Sequence, residues 1–372
     1  MPAEIIFWIA IVTPLYAYLG YPLALIGLRL AIRRPVKKAP IEPSVSLVIP
    51  AHNEARVMER KIRNSLALDY RADRREIVIA SDGSTDETEA IARRFEGDGR
   101  LRVLAYAKNR GKMAVLNAAV PQLRGEIVVF SDASAMLAPD SVRRLVANFA
   151  DPAVGAVSGR YQVVRPAEVS IGASENLYWK YETFLKTQES QLASTLGGHG
   201  QLHAIRKALY PYPPPETIND DYVIPVSVLS RGFRAVYEPD ARVWEEAREM
   251  TGFARRIRIM AGNLQQLRHL PQLLTPLQPL PVFFFLSHKA IRLAAPFAML
   301  AAMAANLFLL GSPMYAVLLC LQVGFYTLAV FGLTGRLRPR SLGLPFYFCM
   351  LNAAAFFGLY HALTRKKSMA WK

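Results

Sequence analysis

Two adjacent carboxylates, Asp220 and Asp221, stand directly ahead of the apolar segment 222–225. Like charges beside each other raise each other's pKa, and a carboxylate with a raised pKa suits a general base. The same pair fits the N-terminal cap of a helix equally well. On these residues alone, base catalysis and helix capping both stay open.

Three other polar side chains share one position, because each stands where a predicted strand ends. These are Asn53, Asp82 and Asp132. Asp82 also begins a common turn before a capping box at 84–87, and Asp132 taken singly is more often a turn or cap residue than a metal ligand. A carboxylate at the end of an apolar strand is costly to bury unless it is paired or bound to a cation. The series therefore indicates a ligand site.

Arginines are concentrated just after residue 250, where Arg255, Arg256 and Arg258 fall within four positions. Clustered guanidinium groups bind diphosphate oxygens well. A basic patch that meets lipid headgroups beside a membrane helix explains the same cluster. Both interpretations stay open.

Between residues 41 and 250, short β-rich segments alternate with helical ones. This order predicts an α/β domain with a mainly parallel sheet, in which ligands bind at the carboxyl ends of the strands. No Gly-x-Gly-x-x-Gly or Gly-Lys-Ser/Thr motif follows a strand, which argues against dinucleotide-binding and P-loop sites. The predicted strands are 45–50, 76–80, 101–106 and 126–130, and the predicted helices are 54–68, 85–96 and 111–122.

The formal net charge of +16 is unevenly distributed along the 372 residues. Residues 1–40 carry five bases and one acid, residues 41–249 carry 27 bases and 28 acids, and residues 250–372 carry 13 bases and no acid. The predicted domain is thus nearly neutral, whereas a nucleic-acid-binding domain would carry a basic stripe itself. With 52% hydrophobic residues, the chain is also too apolar to be intrinsically disordered.

The excess basic residues flank apolar runs that are long enough to cross a membrane. Residues 5–28 are uncharged and precede four basic residues, which predicts a retained helix with its N-terminus outside and its C-terminal end, with the domain that follows, in the cytoplasm. Residues 281–292 read either as an interfacial helix or as the start of the next span. Cys320 and Cys349 lie in apolar runs and read as small hydrophobes. Three further spans are predicted at 293–310, 314–334 and 342–363, and the basic tail leaves the side of the C-terminus open.

In this order, the motifs resemble those of the membrane-embedded glycosyltransferase family 2 enzymes, which include cellulose, hyaluronan and poly-N-acetylglucosamine synthases. The resemblance implies a GT-A nucleotide-sugar fold and inverting sugar transfer. It divides the chain into an N-terminal helix and linker (1–40), a catalytic domain (41–250), Arg-rich and interfacial helices (251–292) and C-terminal spans (293–372). The segments that carry it are SLVIPAHNEA, EIVIASDGSTDET, NRGKMAVLNAA, VVFSDAS, GGHGQLHAIRK, NDDYVIPVSVLSRGFRAVYEPDA and RRIRIMAGN.

The resemblance also implies roles for individual residues. Asp221 would be the catalytic base with Asp220 beside it, and Asp132 would bind Mg²⁺ or Mn²⁺ as part of a DxD motif that has Ser134 as its third residue. His199 is a further candidate to support the base, the acceptor or the metal. The implied donor-binding residues are Asn53, Glu54, Asp82, Lys112, Arg256 and Arg258.

Two departures from the family pattern bear on function. Ser134 replaces the second acid of DxD, which weakens the expected metal site. The family's Gln-x-x-Arg-Trp motif reads Arg255-Arg256-Ile257-Arg258-Ile259 here, so both its Gln and its Trp are replaced. In addition, four predicted spans are few for a channel that moves a growing polymer. Single transfer is therefore at least as well supported as processive synthesis.

Three functions follow as hypotheses. The first is transfer from a nucleoside-diphosphate sugar, expected to be a UDP-sugar, to a saccharide or lipid-linked saccharide in exopolysaccharide or glycolipid synthesis at the inner membrane, with possible partners in a synthesis complex. The second is transfer to a polyprenyl phosphate or another single lipid. The third is a non-catalytic scaffold subunit of a membrane synthase.

Overall fold

The computed structural model describes residues 2–164, 172–246, 252–268, 271, 278–332 and 343–364. The predicted domain boundary at residues 250 and 251, the basic loop 336–340 and the basic tail beyond residue 364 lie outside these residues. The side chain of Arg255 also lies outside them.

The catalytic region is built on one eight-stranded mixed sheet in the order β3-β2-β1-β4-β7-β6-β8-β5. Strands β1 to β4 are mutually parallel, as the alternating pattern predicts. The interior strands β1 and β4 are buried along their whole length, because helices cover both faces of the sheet. The strands are β1 Val45–Ala51, β2 Arg75–Asp82, β3 Leu101–Tyr106, β4 Ile127–Phe130, β5 Met136–Leu137, β6 Val154–Val164, β7 His203–Arg206 and β8 Arg234–Glu246.

Helices flank the sheet and form the membrane-facing part of the chain. The three helices that were predicted between the first four strands are present, each a few residues shorter than its sequence pattern. The helices are α1 Pro2–Ala31, α2 Ala55–Leu66, α3 Thr88–Arg93, α4 Lys112–Ala119, α5 Ser141–Val146, α6 Gly172–Leu192, α7 Asp220–Ser227, α8 Gly252–Leu267, α9 Pro279–Leu307, α10 Pro313–Gly332 and α11 Gly343–Thr364.

Strand β7 breaks the parallel pattern and brings a distant loop to the site. It runs antiparallel to β4, with His203 opposite Phe130. The residues that precede β7 therefore lie beside the residues that follow β4. In this way the loop 197–202 reaches the edge of the sheet that carries Asp132.

Within the described residues, three helices are long and apolar enough to cross a membrane: α1, α9 and α10. Helix α9 runs on from residue 279 to 307, so 281–292 is the beginning of this helix and not a separate interfacial one. The fourth predicted span forms α11, whose apolar stretch Leu344–Tyr360 is shorter than a usual membrane span. Three of the four predicted spans thus have the length and composition of a membrane span within the described residues, and the fourth stays a prediction.

Candidate active site

Asp82 holds the loop from which the first cationic side chain of the site projects. Its two carboxylate oxygens accept the backbone N–H groups of Arg110 and Gly111, each at 2.8 Å. Gly111 has a φ of 89°, in the region that favours glycine. The next residue, Lys112, begins α4. Asp82 therefore fixes the starting point of α4 as well as ending β2, and its predicted contact with the nucleotide stays a prediction.

The loops after β1 and β2 are tied to each other at the predicted nucleotide site. The exposed Asn53 has a left-handed backbone (φ 54°), and its side-chain oxygen accepts the N–H of Thr85 at 2.8 Å. The N–H of Glu54 donates to Thr88 Oγ1 at 2.8 Å. Asn53 and Glu54 thus lie at the carboxyl ends of the parallel strands, where ligands bind in sheets of this kind.

Lys112 joins two of the predicted site residues. Its Nζ lies 2.8 Å from Asp132 Oδ1 and 2.9 Å from Asp220 Oδ2. Burial opposes the charge of Lys112, but the two carboxylates outweigh burial and raise its pKa. Burial likewise opposes the charge of Asp220, and Lys112 and His203 outweigh it and lower the pKa. Asp220 is therefore an ionised carboxylate, paired with Lys112, at neutral pH.

Asp221 has the opposite electrostatic environment from its neighbour. Burial, together with the charge of Asp220, raises the pKa of Asp221 to about 6. A carboxylate with this pKa is mostly ionised at pH 7 and accepts a proton more readily than an ordinary one. The structure thus gives the two adjacent acids opposite electrostatic environments, which their adjacency in the sequence does not distinguish.

A glycine loop borders the acidic residues closely. Gly200 comes so near that a Cβ at this position would lie 3.6 Å from Lys112 Nζ and 3.7 Å from Asp132 Oδ2. Gly198 donates its N–H to the backbone oxygen of Asp221 at 2.6 Å. A larger residue at position 200 would therefore enter the space between the cation and the acids.

Lys186 is a site residue that the sequence interpretation missed. Its Nζ donates to the carbonyl of Gly198 at 2.7 Å, and burial, reinforced by Lys289, lowers its pKa to about 8. Its positive charge acts on Asp221 and lowers the pKa of that acid. The sequence does hold a signal, because Glu182, Lys186 and Glu189 are spaced as on one face of a helix. In the structure all three charged side chains of this face are buried.

His199 lies beside Lys186, with its Nε2 3.4 Å from Lys186 Nζ. Burial holds the pKa of His199 well below its usual range, so the ring is neutral. The aromatic rings that surround it belong to Tyr161, Trp179 and Tyr237. These contacts favour a supporting role for His199 beside Lys186.

Helix α8 carries the arginine cluster and is tied to the acidic pair. Asn219, the residue before Asp220, donates to the Ile259 carbonyl at 3.1 Å and to Asn263 Oδ1 at 3.0 Å. Arg256 donates to the Tyr347 hydroxyl of α11 at 3.1 Å and packs over its ring. The structure therefore places Arg256 against α11, while Arg258 lies half-buried on α8 and its predicted contact with a diphosphate stays a prediction.

A cavity of about 80 Å³ lies where candidate membrane helices meet the catalytic region. This is several times the roughly 10–15 Å³ that one water needs by the same measure. Lys289 lines the cavity, and its charge also acts on Asp221. The other lining residues include Tyr18, Tyr178, Glu182, Asn263, His288, Arg292 and Asn352.

The donor set at Asp132 fits a divalent cation that is shared with a diphosphate. Among the described residues, no group of three or more His, Cys, Asp or Glu side chains is arranged to hold a metal alone. Mg²⁺ sites of the nucleotide type need only one or two carboxylates, since substrate phosphates and water complete the shell. Asp132 and Asp220 both lie within 3 Å of the Lys112 ammonium group, so their negative charges already stabilise a cation at this position.

A family model described as "Glycosyltransferase like family 2" matches residues 43–261, more than half of the chain. The chain belongs to glycosyltransferase family 2. The match covers every site residue of the catalytic region described above, from Asn53 to Arg258, and the family resemblance of the sequence motifs is confirmed.

Curated relatives of this family 2 chain include a polysaccharide synthase and an N-acetylglucosaminyltransferase. The poly-beta-1,6-N-acetyl-D-glucosamine synthase of Staphylococcus aureus (strain COL) is 25% identical over 226 residues, which are 59% of this chain and 54% of the relative. An N-acetylglucosaminyltransferase of Mesorhizobium japonicum is 27% identical over 214 residues, 54% of this chain and 50% of the relative. The chain spans about half the length of the curated relatives it matches.

The fold of the family 2 chain matches a solved structure along nearly its whole length. That structure is mannosyltransferase PcManGT from Pyrobaculum calidifontis in complex with GDP-Man and Mn²⁺. The two chains are 26% identical with a TM-score of 0.73, and the match covers 97% of this chain and 100% of the other. The predicted GT-A fold with added apolar helices is confirmed.

Lys186→Met is expected to change how the family 2 site responds to pH. If Asp221 is the base, as the family motif predicts, it must be deprotonated to act, so kcat/KM for sugar transfer should rise with pH through the pKa of Asp221, near 6, and level off above it. Removing the positive charge of Lys186 takes away a cause that lowers this pKa, so the acidic limb moves to higher pH. The measurement is the pH profile of kcat/KM; Lys186→Arg, which keeps the charge, should leave the limb nearer its original place.

Proposed function

We propose that this protein transfers a sugar from a nucleoside-diphosphate sugar to a saccharide or lipid-linked acceptor at the cytoplasmic membrane face, with inversion at the anomeric carbon. The observation that carries the proposal is the divided acidic pair: Asp220 is held ionised by Lys112, while the adjacent Asp221 has a pKa near 6. A base beside a fixed cationic centre is what displacement of a diphosphate from a sugar requires.

The reaction follows from the roles of these groups. Asp221 removes the proton from the acceptor hydroxyl as the oxygen attacks the anomeric carbon, and the bond to the nucleoside diphosphate breaks on the opposite side. Lys112 carries positive charge next to Asp132, where charge develops on the leaving group. A divalent cation at Asp132, when bound, would supply further neutralisation of the diphosphate; its use is supported by the Mn²⁺ complex of the similar mannosyltransferase.

The acceptor is proposed to approach from the membrane side. Lys289, at the N-terminal part of α9, lines the cavity and acts electrostatically on Asp221. The cavity walls combine aromatic rings, which pack against sugar or lipid, with polar groups that bind hydroxyls or phosphate. This lining supports both a lipid-linked saccharide and a polyprenyl phosphate as acceptors.

The proposed orientation places the catalytic region in the cytoplasm. Helix α1 is followed by Arg33, Arg34, Lys37 and Lys38, and the positive-inside rule assigns the basic end of a span to the cytoplasm. The nucleotide sugars that such a site needs are cytoplasmic metabolites. Two or more of the three candidate spans would make the protein multi-pass in the plasma membrane.

A donor panel tests the proposal. We expect purified full-length protein in lipid nanodiscs, with Mn²⁺ or Mg²⁺, to release nucleoside diphosphate from at least one of UDP-N-acetylglucosamine, UDP-glucose and GDP-mannose. The first and last of these follow the names of the relatives and the solved neighbour. Release should require the metal and should increase when membrane lipid or oligosaccharide is added.

Partition of the labelled product distinguishes the acceptors. Label recovered in organic solvent supports a single lipid acceptor, and label in a high-molecular-weight aqueous fraction supports a polysaccharide. If no donor in an extended panel of sugar nucleotides is consumed under any of these conditions, the transferase proposal is wrong and a scaffold subunit becomes the better account.

A further inference from the structure

Ser134 occupies the third position of the metal-binding motif, but it does not stand alone. Its Oγ donates a hydrogen bond of 2.6 Å to Glu245 Oε1 on β8. The second carboxylate oxygen of Glu245 accepts the Tyr161 hydroxyl at 3.0 Å. These contacts join two residues that are more than one hundred positions apart, and no family motif pairs them in the sequence.

Strand pairing fixes this contact. Strand β5 begins directly after the motif and pairs antiparallel with β8, with Met136 opposite Trp244. The turn that carries Asp132 and Ser134 therefore lies beside Glu245 for reasons of backbone register. Lys61 holds both ends of the same turn, because its Nζ donates to Ser131 Oγ at 2.7 Å and to the Ala135 carbonyl.

Burial distinguishes the inner and outer parts of this arrangement. Asp132 and Ser134 are both half-buried. Glu245 is only 8% exposed and stands behind Ser134. A buried carboxylate is costly unless its oxygens are hydrogen-bonded and its charge is compensated. The hydroxyls of Ser134 and Tyr161 both donate to Glu245. The carboxylate of Glu245 is therefore hydrogen-bonded to Ser134, the residue that stands where the family has its second acid.

We propose that Ser134 and Glu245 act as one unit that replaces the missing second acid of the motif. The Ser134 hydroxyl keeps its proton and donates it in a hydrogen bond to Glu245, so the oxygen lone pairs of Ser134 would be left for the divalent cation, and the ionised Glu245 supplies negative charge from behind. Carboxylates that hydrogen-bond a ligating group commonly tune metal affinity in this way. The inference rests on the metal-dependent function proposed above, and it makes Glu245 a positioning residue.

The test measures Mn²⁺ affinity directly and does not depend on turnover. Mn²⁺ is titrated into the full-length protein in detergent, with UDP in one series and GDP in another, and bound Mn²⁺ is read by electron paramagnetic resonance. Glu245→Gln should raise the dissociation constant roughly 10- to 100-fold, the range for loss of such an outer partner. Glu246→Gln is the matched control, since this neighbouring side chain is 64% exposed and pairs with Arg60 outside the motif; it should bind Mn²⁺ as wild type does.

A double variant separates this role from a merely structural one. Adding Ser134→Asp to Glu245→Gln restores a carboxylate at the motif itself and should recover most of the lost affinity, whereas Ser134→Asp alone sets two carboxylates against each other and should bring no comparable gain. If Glu245→Gln binds Mn²⁺ as tightly as wild type, the inference is overturned while the metal-dependent function stands. If the double variant recovers nothing, the unit is likewise rejected. Wild-type protein that binds no Mn²⁺ in either series overturns both.

Discussion

Asp221→Asn is expected to lower the rate of sugar transfer by roughly 10²- to 10⁴-fold, the usual contribution of a positioned general base. The amide keeps the size of the side chain but cannot take the proton of the acceptor hydroxyl. Donor binding should stay close to normal, because Lys112, Asp132 and the loops after β1 and β2 are unchanged. The measurements are single-turnover transfer and nucleotide binding by calorimetry on the same preparation.

Asp220→Asn serves as the comparison within the pair. Asp220 is bonded to Lys112 and is not the proposed proton acceptor, so its loss should weaken binding of the donor as well as turnover. Near-normal transfer by Asp221→Asn, with a strong defect in Asp220→Asn, would show that Asp220 and not Asp221 is the base.

Lys112→Met should have the second large effect, a loss of roughly 10²- to 10³-fold in turnover, as is typical when one group that stabilises developing charge is removed. The substitution keeps the length of the side chain but leaves Asp132 and Asp220 without the cation that now lies within 3 Å of both. The pKa of Asp221 should also rise, because Lys112 is among the charges that lower it. The rate of nucleoside diphosphate release from the donor, measured with saturating metal across pH 5 to 8, reports both the loss of turnover and the shift of the Asp221 pKa.

Lys108→Met is the matched control for this experiment. Lys108 lies four residues earlier in the loop before α4 and is exposed. Its loss removes the same charge from the protein without touching the acids, so activity should change little. Equal losses in the two variants would mean that general electrostatics, and not the contact with Asp132 and Asp220, explains the role of Lys112.

The parts of the site that the sequence predicts are those set by local strand pattern. Asp82 and Asp132 end or follow parallel strands, so their placement on one edge follows from the alternation of strands and helices. Asp221 is the second residue of α7. The adjacency of the two acids left base catalysis and helix capping both open, and only the family motif assigned the base to Asp221. The distinction between the two acids arises from Lys112 and from burial, which spacing does not encode.

The parts that the sequence does not predict depend on pairing between distant strands and helices. The antiparallel placement of β7 brings Gly200 to the motif, and the pairing of β5 with β8 brings Glu245 to Ser134. Neither pairing follows from the βα alternation that governs the first half of the domain. The packing of α8 on α11, which brings Arg256 to the Tyr347 hydroxyl, does not follow from the spacing either, and the predicted role of Arg256 at the donor diphosphate stays a prediction.

Buried charge also connects the catalytic region to the candidate membrane helices. His288 of α9 lies between two acids of α6, with its Nδ1 2.6 Å from Glu189 and its Nε2 3.4 Å from Glu182. Tyr21 of α1 donates to Glu189 at 2.7 Å. Such contacts fix the angle between the candidate membrane helices and the face of α6 that carries Lys186, so Lys186 and the cavity are positioned by one network.

The central claim is that Asp221 activates an acceptor for one direct displacement at the sugar. The most direct measurement is the anomeric configuration of the newly formed glycosidic bond, determined by nuclear magnetic resonance on product made from the donor that the panel identifies. We expect a configuration opposite to that of the donor in wild-type product, and product formation by Asp221→Asn that is slower by roughly 10²- to 10⁴-fold. Product with the configuration of the donor would contradict the single displacement and the role assigned to Asp221.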